Sequence, residues 1–173
     1  DDDRNGYIDD YYGWDMVSND NDPMDTYGHG TLVAGVIGAV GNNGKGVVGV
    51  NWKAKIMPLR VIGDSGTGTW EAGAQGIVYA SDMSAKVINS SWGGAYYSKI
   101  AQDAARYAHD RGTVFVASAG NDGGDVINFS PAGNERAISV GAVDVNDARS
   151  FGYWSSNYGA RLDVTGPGVD ILS

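Results

Sequence analysis

Residues 27–38 read Tyr-Gly-His-Gly-Thr-Leu-Val-Ala-Gly-Val-Ile-Gly. His29 stands between two glycines, just before an apolar run with regularly spaced small residues that predicts a closely packed helix from Thr31. Gly28 and Gly30 permit a sharp backbone turn and the close approach of a substrate. Imidazole titrates near neutral pH and can take a proton from a hydroxyl, so His29 is a candidate general base. The alternative is a solvated loop histidine before a core helix.

Strands and helices alternate along the rest of the chain. Strands are predicted at 11–17, 55–61, 87–90, 113–117, 137–143 and 162–164, and helices from 31, over 70–84 and around 100–108. Pro58 suggests an edge position or a bulge within its strand. The alternation predicts an α/β fold, a doubly wound three-layer α/β/α arrangement with a mainly parallel sheet. We expect one domain over residues 1–173.

Glycine-rich turns follow two of the predicted strands. Ser91-Trp92-Gly93-Gly94 continues from the strand at 87–90, and residues 118–124 follow the strand at 113–117. In a parallel sheet the binding site lies at the carboxyl ends of the strands, so both turns are candidate parts of a site. His109, the second histidine, falls near the end of a predicted helix, where a structural role is the preferred interpretation.

The acidity of the chain is local. The formal charge is −9, and residues 1–25 contribute −8 of it through nine Asp and one Arg. An acidic chain of this kind argues against a nucleic-acid partner. Five residues are candidate calcium ligands in a D-x-D-x-N-G-x-x-D pattern, with Tyr7 contributing its carbonyl: Asp1, Asp3, Asn5, Tyr7 and Asp9. An acidic solvated turn is the alternative, and the same interpretation is favoured for the oxygen-rich loop at 19–25.

The composition also excludes several kinds of bond, metal site and membrane segment. There are no cysteines, so disulfides and cysteine-ligated metals are absent. No apolar stretch reaches the length that spans a bilayer, and no signal peptide is visible. The sequence leaves the oligomeric state open.

Taken in order, these motifs resemble the subtilisin-like serine proteases. Residues 28–35 resemble the family's catalytic-histidine segment, residues 87–94 its substrate-binding strand, and residues 117–123 its oxyanion-hole segment. Later framework segments are matched at 130–132, 138–142 and 160–172. The resemblance implies a subtilisin-like fold and a serine-type endopeptidase that acts on polypeptides outside the cell or in the cell envelope.

The resemblance also implies site roles. His29 would be the general base and then the general acid, and Asn121 would donate its side-chain amide to the oxyanion. The substrate would be bound by Ser91, Trp92, Gly93, Gly66, Thr67, Gly68, Ala119 and Gly120. The family pattern further implies a cis peptide bond between Ser130 and Pro131, with Phe129 near the specificity pocket.

Two parts of the family's triad have no counterpart in the chain. No Asp-Thr/Ser-Gly turn precedes His29, and no Gly-Thr-Ser-Met-Ala motif follows residues 166–168. We therefore expect a partial domain that is incomplete at both ends, without the strand that bears the Asp and the helix that bears the Ser. Two alternatives stay open, a non-catalytic binding protein on the subtilase fold and a calcium-binding extracellular module.

Overall fold

The computed structural model describes residue 1, residues 3–152 and residues 154–173. Its elements in chain order are β1 Trp14–Asp15, α1 His29–Gly38, β2 Leu59–Arg60, α2 Trp70–Asp82, β3 Val87–Ser90, α3 Lys99–Asp110, β4 Val114–Ser118, β5 Ile138–Val143 and β6 Val164–Pro167. One turn of 3-10 helix, Val126–Asn128, lies between β4 and β5. The chain divides into two compact units, residues 1–76 with 172–173 and residues 77–171, and α2 begins in the first and ends in the second.

The second unit contains a four-stranded sheet in the order β3-β4-β5-β6, and every strand pair in it is parallel. Strand β3 has the predicted bounds, β4 and β5 begin one residue later than predicted, and β6 begins two residues later. In register, Ser90 of β3, Ala117 of β4 and Ser139 of β5 lie side by side. The predicted α/β class with a parallel sheet is therefore confirmed.

Helix α3 contacts β4. Its buried side chains recur at helical spacing and are mostly alanines: Ala101, Gln102, Ala104, Ala105 and Ala108. In β4 the alternate residues Phe115 and Ala117 are buried, which marks the face of the sheet that forms the core of this unit. Ser98 caps the helix, since its hydroxyl accepts a hydrogen bond from the Ala101 N–H.

The opposite face of the same sheet is apolar and exposed. By register, Val87, Val114, Ile138 and Val164 lie on this face. Between 39% and 58% of each of these side chains is accessible. Parallel sheets normally bury both faces, so the accessibility of this one is unusual.

In the first unit, β1 and β2 form a parallel pair of only two residues each. The longer strands predicted at 11–17 and 55–61 are wrong outside these residues. Gly13 has a positive φ of 107° and lies against the Pro58 carbonyl, which shapes the backbone before β1. After β1, the Asp15 carboxylate accepts hydrogen bonds from the N–H groups of Val17 and Ser18, and the chain turns away from the strand direction.

Helix α1 begins at His29, two residues earlier than predicted, and ends at Gly38. The small residues of α1 predict a closely packed core helix. No residue of α1 is fully buried, so this prediction is only partly confirmed. Close contacts are made in its second half. A Cβ on Gly38 would stand 3.2 Å from Ala54 and from Ile56, and one on Gly35 would stand 2.2 Å from the Ser173 hydroxyl. The rest of the helix is half-buried or exposed, including Leu32.

Candidate active site

His29 is the first residue of α1 and is exposed. The residue before it, Gly28, has a φ of 99°. This left-handed conformation is unfavourable for residues that carry a side chain. The glycine therefore provides the sharp turn that the sequence predicted. It places His29 at the first position of the helix.

The carboxylate of Asp25 holds this turn together. One oxygen accepts hydrogen bonds from the N–H groups of Tyr27, at 3.0 Å, and Gly28, at 2.7 Å. The other accepts from the Thr31 N–H at 2.7 Å and the Thr31 hydroxyl at 2.9 Å. These donors lie on both sides of His29, so a single side chain fixes the backbone around it.

Burial of Asp25 opposes its ionisation, but the hydrogen bonds from Gly28 and Thr31 outweigh burial and lower its pKa to about 2. A carboxylate with this pKa is ionised at every pH at which a histidine base works. A negative charge near the first turn of a helix also interacts favourably with the helix dipole. Asp25 therefore acts as a fixed anionic cap.

The neighbouring residue, Thr26, is tied to a buried ion pair. Its hydroxyl donates to Asp64, and Arg60 bridges Asp64, at 2.5 Å, and the carboxylate of Asp15. The Asp15 side chain is only 2% exposed. The network links the turn before His29 to both strands of the two-stranded sheet.

The Asp15 carboxylate is ionised despite its burial. Burial raises its pKa, but the hydrogen bonds from Ser18, Arg60 and Val17 together lower it by more. The net pKa therefore lies below the ordinary value. The same contact with Asp15 raises the pKa of Arg60. The two groups therefore stabilise each other's charged forms.

The predicted substrate loop Gly66–Gly68 lies against the turn that precedes His29. Gly66 has a φ of 77°, and a Cβ there would stand 2.4 Å from the ring of Tyr27. The loop is closed by the Gly63 N–H, which donates to the Thr67 carbonyl at 2.8 Å. Within the first unit, the structure thus brings two of the predicted site segments together.

In the second unit, Ser91, Trp92 and Gly93 directly follow β3. Gly93 leaves no room for a side chain, since a Cβ there would stand 2.4 Å from the ring of Phe129. The next residue, Gly94, exchanges backbone hydrogen bonds with Ser130 at 2.9 and 3.0 Å. The Ser130–Pro131 peptide bond is cis, as the sequence predicted.

Asn121 follows β4, three residues beyond its last strand residue, and is exposed. Since β3 and β4 are adjacent and parallel, Ser91–Gly93 and Asn121 share the carboxyl edge of one sheet. A Cβ on Gly120 would stand 2.6 Å from the ring of Phe129, so this ring lies beside both glycine turns. His29 belongs to the other compact unit, so a single groove lined by His29 and Asn121 stays a prediction.

Two residues that the sequence did not single out support these segments. Asp25 lies in the oxygen-rich loop for which a solvated turn is predicted, and no motif marks Asn157. Asn157 is buried and bonded to the loop that carries Asn121. An Asp four residues before the histidine was the only available signal for the first, and the sequence contains none for the second.

Several of the predicted calcium ligands take part in local hydrogen bonds. Asp1 and Asp3 accept hydrogen bonds from the N–H groups of Gly6 and Asn5, and the Asn5 amide donates to Asp10 at 2.8 Å. In the part of the chain that the structure describes, no group of three or more His, Cys, Asp or Glu side chains could hold a metal ion. These hydrogen bonds are those of an acidic turn, and calcium binding by residues 1–9 stays a prediction.

Comparison with known proteins identifies the family. The model of the Subtilase family matches residues 1–173. The chain belongs to the subtilase family. This match spans all of the segments described above, from the turn at His29 to β6.

Individual subtilases agree with this result. The chain is 46% identical to thermitase of Thermoactinomyces vulgaris over 93% of its own length and 56% of the relative's. It is 42% identical to the cell wall-associated protease of Bacillus subtilis (strain 168), again over 93% of its length but over 17% of the relative's. The crystal structure of a cold adapted subtilisin-like serine proteinase matches with a TM-score of 0.81 and 34% identity, over 92% of this chain and 55% of the other.

The chain thus spans about half the length of thermitase and of the solved subtilase. The structural match confirms the predicted subtilisin-like α/β/α fold class. Among the helices of residues 1, 3–152 and 154–173, none is both long and apolar enough to cross a membrane.

Proposed function

We propose that this subtilase chain supplies the histidine and the oxyanion donor of a serine endopeptidase, whose Asp and Ser come from other parts of the protein. His29 takes the proton from the serine hydroxyl as that oxygen attacks the peptide carbonyl, and then gives it to the leaving amine. The observation that carries the proposal is the fixed position of His29 at the start of α1. The Asp25 carboxylate accepts hydrogen bonds from backbone N–H groups on both sides of it, those of Gly28 and Thr31.

Asn121 is the proposed donor to the oxyanion. Its side chain is exposed at the carboxyl edge of the parallel sheet, where ligands bind in open α/β folds. An amide N–H held in this way stabilises the negative charge that develops on the carbonyl oxygen. Loss of such a donor costs on the order of 10²–10³ in rate, a scale that was measured in the subtilase family itself.

We assign substrate binding to two glycine-containing segments of the chain. Ser91–Gly93 and Gly66–Gly68 would pair with an extended polypeptide through their backbone groups, as added strands do. Ala119 and Gly120 would border the same substrate beside Asn121. The rings of Tyr27 and Phe129 leave no room for a side chain at Gly66 and Gly93, so the backbone at both segments stays open to a substrate strand.

We further propose that residues 1–173 are one part of a peptidase domain that also contains the Asp strand and the Ser helix. One observation supports this. The apolar face formed by Val87, Val114, Ile138 and Val164 is exposed, and further elements of the domain would cover it.

The names of the relatives suggest where the protein works. One of them is a cell wall-associated protease, so we place this protein outside the cell or in the cell envelope. Calcium binding at residues 1–9 stays a prediction. A titration with calcium, followed by the melting temperature of the full-length protein and of its Asp3→Asn variant, tests it.

The proposal is tested by hydrolysis of an unfolded protein substrate such as casein. The full-length protein should hydrolyse it, His29→Ala should be inactive, and residues 1–173 alone should be inactive. His109→Ala is the matched control, because His109 lies on α3 beside Asp110 and has no proposed role. Full activity of His29→Ala would contradict the proposal, and an inactive full-length protein would favour a non-catalytic member of the family.

A further inference from the structure

The side chain of Asn157 is almost completely buried, at 2% exposure, and uses both ends of its amide. Its oxygen accepts hydrogen bonds from the N–H groups of Asp122, at 3.0 Å, and Gly124, at 2.9 Å. Its nitrogen donates to the carbonyl of Ala119 at 2.8 Å. These three partners lie on both sides of Asn121, so one side chain spans the loop that carries the proposed oxyanion donor.

The backbone around Asn157 reinforces the same loop. The Asn157 N–H donates to the Gly120 carbonyl at 2.9 Å, and the Tyr158 N–H donates to the Gly124 carbonyl at 3.0 Å. In the reverse direction, the Gly123 N–H donates to the Ser155 carbonyl at 2.8 Å. Residues 155–158 therefore form a backing segment, which runs alongside residues 120–124.

The fit between the two segments depends on the size of the side chain as well as its polarity. A Cβ on Gly120 would stand 2.5 Å from the Asn157 amide nitrogen, so the loop lies directly on this amide. Only an asparagine-sized amide offers two acceptor positions and a donor in this space. Alanine would leave the Asp122 and Gly124 N–H groups and the Ala119 carbonyl without these partners, and such unsatisfied groups are costly when buried.

We propose that Asn157 is a positioning residue for catalysis, which holds the residue 119–124 loop so that the amide of Asn121 points at the developing oxyanion. This inference rests on the proposed function, since it assigns a support to the oxyanion donor proposed there. An oxyanion donor is effective because it is fixed before the reaction, so loss of its support weakens transition-state binding more than substrate binding.

The test measures kcat and KM of the full-length protein on a peptide substrate for Asn157→Ala, Asn157→Asp, Asn121→Ala and the double variant. We expect Asn157→Ala to lower kcat by about 10-fold to 100-fold, less than removal of the donor itself. KM should change much less than kcat. Asn157→Asp retains the acceptor for Asp122 and Gly124 but not the donor for Ala119, so it should keep more activity than alanine.

A double-mutant comparison separates positioning from general destabilisation. If Asn157 acts through Asn121, the double variant is no slower than Asn121→Ala alone. Asn134→Ala is the matched control, because Asn134 is a buried asparagine that bonds Arg136 and Gln102 instead of this loop. It should lower stability without this loss of kcat.

Three results would overturn the inference. In the first, Asn157→Ala lowers the melting temperature yet keeps its kcat below that temperature. In the second, the effects of the Asn157 and Asn121 substitutions multiply in full. If Asn157→Ala does not fold, the third is an Asn157→Asp variant with faster amide hydrogen exchange in residues 119–124 and yet a wild-type kcat. By contrast, normal activity of Asn121→Ala would remove the proposed oxyanion donor and this inference together.

Discussion

The Asp25 carboxylate accepts hydrogen bonds from both the backbone N–H and the hydroxyl of Thr31, the second residue after His29. The same carboxylate also accepts from the N–H of Gly28, the residue before His29. The N-cap position of α1 is itself a glycine without a side chain, so Asp25 supplies the cap from outside the helix. The position of the proposed base therefore depends on a charge four residues away from it.

Asp25→Ala should destabilise the protein and slow catalysis. Loss of a helix-capping side chain costs about 0.5–2 kcal/mol, and here the loss also releases the turn that holds His29. We expect a lower free energy of unfolding and a lower kcat with a smaller change in KM. The measurement is thermal unfolding with the reactive serine blocked, to prevent self-digestion, together with steady-state kinetics of the unblocked enzyme.

Asp22→Ala is the control for this substitution, since Asp22 accepts a local bond from the Met24 N–H in the same loop. It should leave kcat unchanged. Equal kcat values for the Asp25 and Asp22 variants would show that the cap has no part in positioning His29.

The Asp25 cap should also give the stability a defined acid dependence. Its pKa is about 2 in the folded protein against an ordinary value of 3.8, so the unfolded chain takes up the proton first as the pH falls. The contribution is complete above about pH 4 and is lost as the pH falls toward about 2. We expect the stability difference between the wild type and Asp25→Asn to be constant above that window and to shrink within it. A difference that stayed constant down to pH 2 would contradict the assigned pKa.

Arg60→Ala should be among the more destabilising single substitutions in the first unit. It leaves the Asp15 carboxylate, which is 2% exposed, with only the donors of Val17 and Ser18 among its described partners. Breaking a buried ion pair by removal of one partner costs about 3–5 kcal/mol. Lys99→Ala is the control, because its pair with Asp103 is exposed and such pairs contribute about 0–1 kcal/mol. Similar losses for both variants in chemical denaturation would contradict the burial of the Asp15–Arg60 pair.

Gly120→Ala and Gly124→Ala should have very different effects, although both lie in the loop around Asn121. Gly120 has a φ of 96°, and its Cβ would stand 2.5 Å from the Asn157 amide. The left-handed backbone alone costs an alanine about 1–2 kcal/mol. A Cβ on Gly124 meets nothing nearer than 3.9 Å. We expect a large fall in kcat and melting temperature for Gly120→Ala and near-normal values for Gly124→Ala, and equal effects would contradict the loop geometry.

The sequence predicted the second unit better than the first. Strand β4 begins within one residue of the predicted position, because continuous β-branched and apolar runs are typical of strands in a parallel sheet. The aromatic run at 11–17 looked equally strand-like, yet only Trp14–Asp15 pairs. The backbone at Gly13 and the hydrogen bonds of the Asp15 carboxylate limit that strand, and neither effect is visible in a hydrophobic pattern.

Some features of the candidate site could be predicted from the sequence and others could not. Short motifs with their own local chemistry, such as the one around His29, could be found from the sequence. Their supports could not, because these depend on tertiary contacts. Asn157 bonds to Ala119 across 38 residues, and an asparagine in a polar turn gives no sign of such a contact.

The proposed role of His29 is tested most directly by labelling the full-length protein with a fluorophosphonate, which reacts only with an activated serine. We expect one labelled serine, outside residues 1–173, with a labelling rate that falls by orders of magnitude in His29→Ala and is unchanged in His109→Ala. Labelling within residues 1–173, or labelling at the same rate without His29, would contradict it.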